Sequence, residues 1–259
     1  DTVYCCLPLF HATGMILAAG SAVVGGARLA LAKRFSVTHF WKDVRQSGAT
    51  VVFYIGEMCR YLTSVPEKAN EKNHPVRIFL GNGLASDVWR EMLRRFGHIR
   101  VMEFYAATEG NTFLINITGE KIGSVGRVPL GLSTLALVHY NIEEDSYPRD
   151  KDGWMIPCQD NEPGMLLSGI SSLNPTSKFD GYTNPEASRK KTLKDAFKSG
   201  DHWFVTGDFM RRDEDGDYWF VDRLGDTFRW KGENVSTDQV SSLLSRSFFI
   251  FQNVVYGVQ

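Results

Sequence analysis

From Val3 to Glu109 short apolar runs alternate with stretches of helical period, and this alternation is the strongest constraint on the fold. The runs are Val3–Leu7, Ala27–Leu31, Thr50–Tyr54, Val76–Leu80 and Ile99–Phe104. Strands that are separated by helix-length segments pair in parallel and take their helices onto the faces of the sheet, so the expected class is α/β. Val37, Phe40, Trp41 and Val44 fall on one helical face, with Ser36 placed as N-cap and Gly48 just past the end. Trp89, Met92, Leu93 and Phe96 repeat that spacing after the candidate cap Ser86. The uncharged stretch Ala12–Ala27 ends at Arg28, short of the ~20 residues that span a bilayer, and reads as a buried helix.

In such sheets ligands collect beyond the carboxyl ends of the strands, where loops and helix N-termini gather. The loops at that edge are Pro8–His11, Ile55-Gly56-Glu57, Gly81-Asn82-Gly83 and Tyr105–Asn111, and they are expected to converge on one site.

After about Gly119 the texture changes to short β-like runs separated by Gly, Pro and Asp: Thr134–Tyr140, Gly164–Leu167 and Trp203–Thr206. Phe209–Arg212 turns through Asp213-Glu214-Asp215-Gly216 into Asp217–Val221, a hairpin with Asp-Gly as its turn signal. Ser236 and Gln239 form a capping-box candidate ahead of Val240, Leu243 and Leu244, and Arg223–Asp226 reads as a linker into that last unit. The expected architecture is a parallel sheet with helices on both faces (1–118), a small antiparallel β subdomain (119–222), and a hinge with the start of an α+β C-terminal domain (223–259).

Composition narrows the function classes. With 43% hydrophobic and 23% charged residues the chain is an ordinary globular one, and a net charge of -1 offers no field for nucleic acid. The cluster Arg189-Lys190-Lys191 reads as a solvated face. Four cysteines without CxxC spacing form neither a disulfide framework nor a metal knuckle, which favours a reducing compartment over secretion.

Several residues have side chains suited to a nucleotide. Tyr105 offers a face for a base, Thr108 a donor for a phosphate oxygen, and Glu109 a hard ligand for phosphate-bound Mg2+, although the same run reads as a capped turn with a surface glutamate. Asp208 is suited to accept two hydrogen bonds from a ribose diol or to close a turn; Arg223 is suited to ribose or phosphate, or to an ion pair with Asp222 or Asp226. Lys231-Gly232 mixes a cation with a glycine in either a ligand loop or an exposed turn. His11 is a polar group at a pocket wall or a structural histidine.

Taken in order, Pro8-Leu9-Phe10-His11, Gly81-Asn82-Gly83, Tyr105-Ala106-Ala107-Thr108-Glu109-Gly110-Asn111, Thr206-Gly207-Asp208 and the string from Asp222 to Ser236 resemble the adenylate-forming superfamily. More narrowly, the Glu-Gly-Asn ending, the Gly-Asp-Thr-Phe-Arg-Trp-Lys-Gly-Glu-Asn string and Asp87-Val88-Trp89-Arg90-Glu91 resemble the fatty acid transport protein / very-long-chain acyl-CoA synthetase family. That resemblance runs nearly end to end.

The resemblance implies an ATP-dependent ligase that converts a fatty acid to an acyl-adenylate and then to acyl-CoA, coupled to fatty acid uptake. It implies that Tyr105 stacks on adenine beside Gly81 and Gly83, that Thr108 contacts phosphate, that Glu109 holds Mg2+, and that Asp208 and Arg223 bind ribose. It places His11 where acyl and pantetheine tunnels meet, and Lys231-Gly232 on a loop that enters for thioester formation as a C-terminal domain rotates. The helix around Met15–Val24 is expected to wall the acyl tunnel. Membrane association through other parts of the protein, at the endoplasmic reticulum, peroxisome or plasma membrane, is implied as well, with the nucleotide site facing the cytosol or organelle interior.

Ala106 stands where the wider superfamily has Gly, and Gly225 where the hinge often has Asp or Lys. The sequence reads as an excerpt without the upstream phosphate loop and the late C-terminal Lys, so the isolated chain is expected not to release pyrophosphate from ATP with palmitate or a C24 acid. Two alternatives stand beside the ligase: a membrane-associated transport or scaffold protein with a vestigial nucleotide site, and a CoA ligase for another acid such as a bile acid.

Overall fold

The computed structural model describes residues 1–107, 110–129, 133–225, 228–230, 233–244, 247, 249–250 and 253–257. The chain divides into two compact units: 1–105 with 115–124, and 106–114 with 125–259.

The first unit is built on a six-stranded sheet of order β2-β1-β3-β4-β5-β6. Its strands are β1 (Thr2–Cys5), β2 (Arg28–Leu31), β3 (Val51–Ile55), β4 (Ile78–Asn82), β5 (Arg100–Ala106) and β6 (Phe113–Asn116). The first five correspond to the five apolar runs and pair in parallel. Phe40, Tyr54, Phe79, Trp89, Met92 and Phe96 are fully buried in one cluster between sheet and helices. Burying each such side chain stabilises the unit by roughly 1.5–3 kcal/mol.

The helices depart from expectation at their ends. α1 (Gly20–Val24) continues directly from a π-helical stretch, Thr13–Ala19, and this segment is not a buried helix. Only Gly14, Ala18 and Ala22 are buried, whereas Met15, Ile16, Val23 and Val24 are exposed, because the small residues and not the large ones face the sheet. α2 (Phe40–Ser47) begins four residues after Ser36, whose hydroxyl contacts His39 Nδ1 at 3.0 Å and caps nothing. Gly48 does end it, in a left-handed conformation (φ 66°) that lets Ala49 N–H reach Val44 O at 3.0 Å. α3 (Gly56–Ser64) starts at the residue after β3, so no loop separates them. α4 (Ser86–Phe96) includes Ser86 in its first turn and has Ala85 as N-cap without a side-chain bond.

One charged residue lies on the inner face of α4. Arg95 is buried and donates from Nε to Glu71 Oε2 at 3.0 Å, and from Nη1 to Thr63 O and Val65 O at 2.6 and 2.9 Å. It thereby pairs with a buried carboxylate and closes the carbonyl end of α3.

The second unit carries an antiparallel sheet of order β11-β10-β8-β7, with β9 also on β10. These are β7 (Leu135–Val138), β8 (Gly164–Gly169), β9 (Thr192–Lys194), β10 (His202–Arg212) and β11 (Tyr218–Arg223). Val138, Met155, Met165, Leu167, Ala196 and Val205 form a core. The hairpin forms where expected, with Arg212 opposite Tyr218, one residue beyond the Asp217 at which the second strand was expected to begin, but Thr206-Gly207-Asp208 stands within β10 at a register shift and not at a turn. A short pair, β12 (Phe228–Trp230) with β13 (Glu233–Val235), precedes α6 (Thr237–Leu244). At the start of α6 Asp222 Oδ2 accepts from Thr237 N at 3.1 Å and the Ser236 hydroxyl donates to Val221 O at 3.1 Å, while the Gln239 side chain of the expected capping box lies outside the described residues.

Candidate functional site

Two constellations, one in each unit, contain Gly81, Gly83 and Tyr105 in the first and Asp208 and Arg223 in the second. In the first, Tyr54, Gly81 and Glu103 stand in one row across β3, β4 and β5. A Cβ on Gly81 would lie 2.6 Å from the Tyr54 ring and 2.2 Å from Tyr54 O, so only glycine lets the tyrosine lie across the middle strand. The Tyr54 hydroxyl donates to Glu103 Oε2, and Glu103 Oε1 accepts from Leu84 N at 3.0 Å. The buried carboxylate therefore holds the chain just past Gly83. Burial pushes the Glu103 acid up to about 7, against the opposing hydrogen bonds from Tyr54 and from the amides of Leu84 and Gly83. Burial first, and the neighbouring Glu103 second, raise the Tyr54 phenol well above its ordinary range.

Gly81 and Asn82 are thus the last residues of β4 and not loop residues, while Gly83 alone turns the chain, at φ 75° with open space where a Cβ would point. Asn82 Oδ1 is buried and has no hydrogen-bond partner among the described residues. Tyr105 is buried and lies two residues beyond Glu103 on β5, hence on the same face of the sheet. His11 is exposed, its ring 4.5 Å from that of Phe10, and its carbonyl accepts from Gly14 N and Met15 N as the helical segment begins.

In the second unit Asp208 and Arg223 face each other across β10 and β11. Arg223 Nε donates to Asp208 Oδ1 at 2.8 Å; the carboxylate side chain is 5% exposed and the guanidinium side chain 64%. Arg223 therefore pairs with Asp208, which stands within β10. Asp222 is occupied otherwise, accepting from Arg223 N at 2.9 Å and capping α6. The Asp208 backbone N–H donates to Thr206 Oγ1 at 3.1 Å, and that hydroxyl donates to Leu166 O at 2.9 Å, which fixes the bulge that presents the carboxylate. Thr108, Glu109, Lys231 and Gly232 lie outside the described residues, as does Asp226.

Residues 1–154 match the model of the AMP-binding enzyme family. The chain belongs to that family. Among curated relatives it is 46% identical to long-chain fatty acid transport protein 6 of Mus musculus, and 47% identical to the medium/long-chain-fatty-acid–CoA ligase FadD6 of Mycobacterium tuberculosis. Both alignments cover all of this chain and 42% of the relative, so the chain spans less than half the length of the proteins it matches. Among solved structures, ATP-bound MatB of Rhodopseudomonas palustris superposes with a TM-score of 0.79 at 21% identity, over all of this chain and 47% of that one. The AMP-bound O-succinylbenzoate-CoA synthetase of Bacillus subtilis gives 0.73 at 24%, over all of this chain and 48% of that one. At these identities the superpositions establish the fold alone.

For an AMP-binding enzyme chain read by sequence, three residues went unnoticed: Tyr54, Glu103 and the capping role of Asp222. A signal existed for Glu103, a single carboxylate inside the apolar run Ile99–Phe104, since a charge in a central strand needs a partner. No sequence signal pointed to Tyr54, because its partner lies 49 residues away. Among the described residues no helix is long and apolar enough to cross a membrane.

Proposed function

We propose that the protein of which this chain is a part activates long-chain or very-long-chain fatty acids as CoA thioesters. The fatty acid carboxylate attacks the α-phosphate of ATP and expels pyrophosphate; the CoA thiol then attacks the acyl carbon and expels AMP. The observation that carries this reading is the 47% identity, over the whole chain, to a protein named as a medium/long-chain fatty-acid–CoA ligase. Two features, one in each unit, support it. The Asp208 carboxylate, already fixed by Arg223, suits the two hydroxyls of a ribose. The orphaned Asn82 Oδ1 stands between Gly81 and Gly83 and suits a base N–H, since an unmet buried acceptor costs about 1–3 kcal/mol.

In this reading Tyr105 stacks on adenine, Thr108 donates to phosphate and Glu109 holds the Mg2+ that neutralises phosphate charge. Lys231 and Gly232 serve the thioester step, and His11 stands beside the path of the thiol. The exposed apolar side chains of Met15, Ile16, Val23 and Val24 suit contact with an acyl tail. Thioester formation at a membrane would draw fatty acid inward, because the charged CoA ester does not recross a bilayer.

The test is acyl-CoA formation by the full protein with palmitate or a C24 acid, ATP, Mg2+ and CoA, alongside its Glu109→Ala variant. Loss of thioester in the variant, with loss of uptake in cells, is the expected result. Uptake that persists after ligation is abolished would favour a transport or scaffold role, and a turnover preference for a bile acid would move the substrate class.

A further inference from the structure

The second unit brings His139, Cys158 and Glu162 together away from Asp208 and Arg223 in sequence and in role. One donor atom from each, an imidazole nitrogen, a thiol sulfur and a carboxylate oxygen, lies within 4.8 Å of the other two. Imidazole Nε2 and Glu162 Oε2 are 3.5 Å apart. We propose that these three side chains bind a zinc-class divalent cation, with the fourth coordination position open to water.

The backbone sets the geometry. His139 follows β7, and its N–H donates to Ile156 O at 3.0 Å, while Cys158 N–H donates to Leu137 O at 2.9 Å. This ladder fixes the imidazole and the thiol on adjacent chains. Glu162 is held by a two-way contact, its N–H donating to Gln159 O at 3.1 Å and its Oε2 accepting from Gln159 N at 2.8 Å. That second bond is the kind of outer contact that orients a ligating carboxylate. Gly164 leaves the thiol its place, since a Cβ there would stand 2.3 Å from Cys158 Sγ. Cys158 also lines a cavity of about 750 Å3, which gives a path from solvent.

The donor set selects the ion. Sulfur and imidazole favour zinc over calcium or magnesium, which take oxygen ligands. Tetrahedral zinc, at about 2.3 Å from sulfur and 2.0 Å from nitrogen, needs those two atoms roughly 3.5 Å apart. Donor atoms that all lie within 4.8 Å of one another are within reach of that spacing by side-chain rotation. Three protein ligands with one open position is the pattern of an accessible zinc site, and binding would release the thiol proton to solvent.

The experiment uses the full protein stripped by a chelator and titrated with Co2+ as a spectroscopic stand-in, then with Zn2+ in competition. The expected result is one equivalent bound, with a near-ultraviolet thiolate-to-cobalt band and visible bands of tetrahedral intensity, all displaced by Zn2+. Cys158→Ser should abolish the thiolate band at unchanged metal-free melting temperature. His139→Asn and Glu162→Gln should each weaken binding by at least the roughly 10-fold that loss of an outer partner costs. A thiolate band that survives Cys158→Ser, binding indifferent to His139→Asn, or no saturable binding would each overturn the site. None of these readouts depends on ligase activity.

Discussion

Tyr54 donates its hydroxyl to Glu103 across a strand that lies between them, and the residue it crosses is Gly81. The same carboxylate holds the amide of Leu84, so one buried acid ties three parallel strands to the turn at Gly83. Its raised pKa, about 7 against an ordinary 4.5, sets a pH dependence of stability. The folded state binds the proton more tightly than the unfolded chain, so this contribution is complete below about 4.5 and declines as pH rises towards about 7. Fully expressed it amounts to about 3 kcal/mol. Glu103→Gln, whose amide can serve Leu84 N and Tyr54 Oη alike, should flatten that decline; denaturant titrations at pH 5 and pH 8 measure it. A slope equal to the parent's would remove Glu103 as its source.

Gly81 and Gly83 should behave differently on substitution. Gly81→Ala drives a methyl group into Tyr54 and should cost at least the ~1–3 kcal/mol of an overpacked core. Gly83→Ala meets no atom within 4 Å and pays only for its positive φ, about 1–2 kcal/mol. If adenine lies over Gly83, the second variant loses nucleotide affinity out of proportion to its small loss of stability. Melting curves with and without AMP compare the two directly.

Asp208→Ala removes the proposed acceptor for the ribose hydroxyls and leaves Arg223 without its observed partner. Hydrogen bonds to a charged group contribute about 1.5–3 kcal/mol, so the KM for ATP should rise by roughly 10- to 150-fold. The more specific readout is discrimination between ATP and 2′-deoxy-ATP, which should shrink in the variant. Undiminished discrimination would mean that the carboxylate serves the fold alone.

The buried pair Arg95–Glu71 should be among the most sensitive points of the first unit. Glu71→Ala strands a guanidinium that is 2% exposed, and breaking such a pair costs about 3–5 kcal/mol. Removing both charges, as Glu71→Leu with Arg95→Met, should recover part of that loss, though Thr63 O and Val65 O then lose their donor. Chemical denaturation of the single and double variants gives the coupling.

The acyl-tail proposal has a sharper test than the sequence suggested. Ala18 is fully buried, so Ala18→Trp would break packing and say nothing about substrate. Ile16 and Val23 are 66% and 80% exposed, so Ile16→Trp or Val23→Trp should fold and shift turnover towards shorter acids. Unchanged chain-length preference in both would remove this surface from the acyl path.

Much of the fold was legible because it is periodic. Five apolar runs at helical intervals can satisfy their backbone groups only as a parallel sheet, and all five are strands of that sheet. The position of the hairpin followed from its turn residues for a similar reason: the turn is local. Helix starts were not legible at Ser36 or Ser86, because several nearby groups compete for the same free N–H donors. At α6 the first amide is met by Asp222, 15 residues upstream.

The sequence by itself determined the class of fold, the order of the motifs and which residue types were available to hold a nucleotide, since these depend on spacing along the chain and on side-chain chemistry. Tertiary structure alone decided that Arg223 grips Asp208, that Glu103 holds the Gly83 turn through a row shared with Tyr54, and that His139 meets Cys158 and Glu162. Each of those is a contact between strands or loops, set by pairing register, and register is a property of the folded sheet that no single segment encodes.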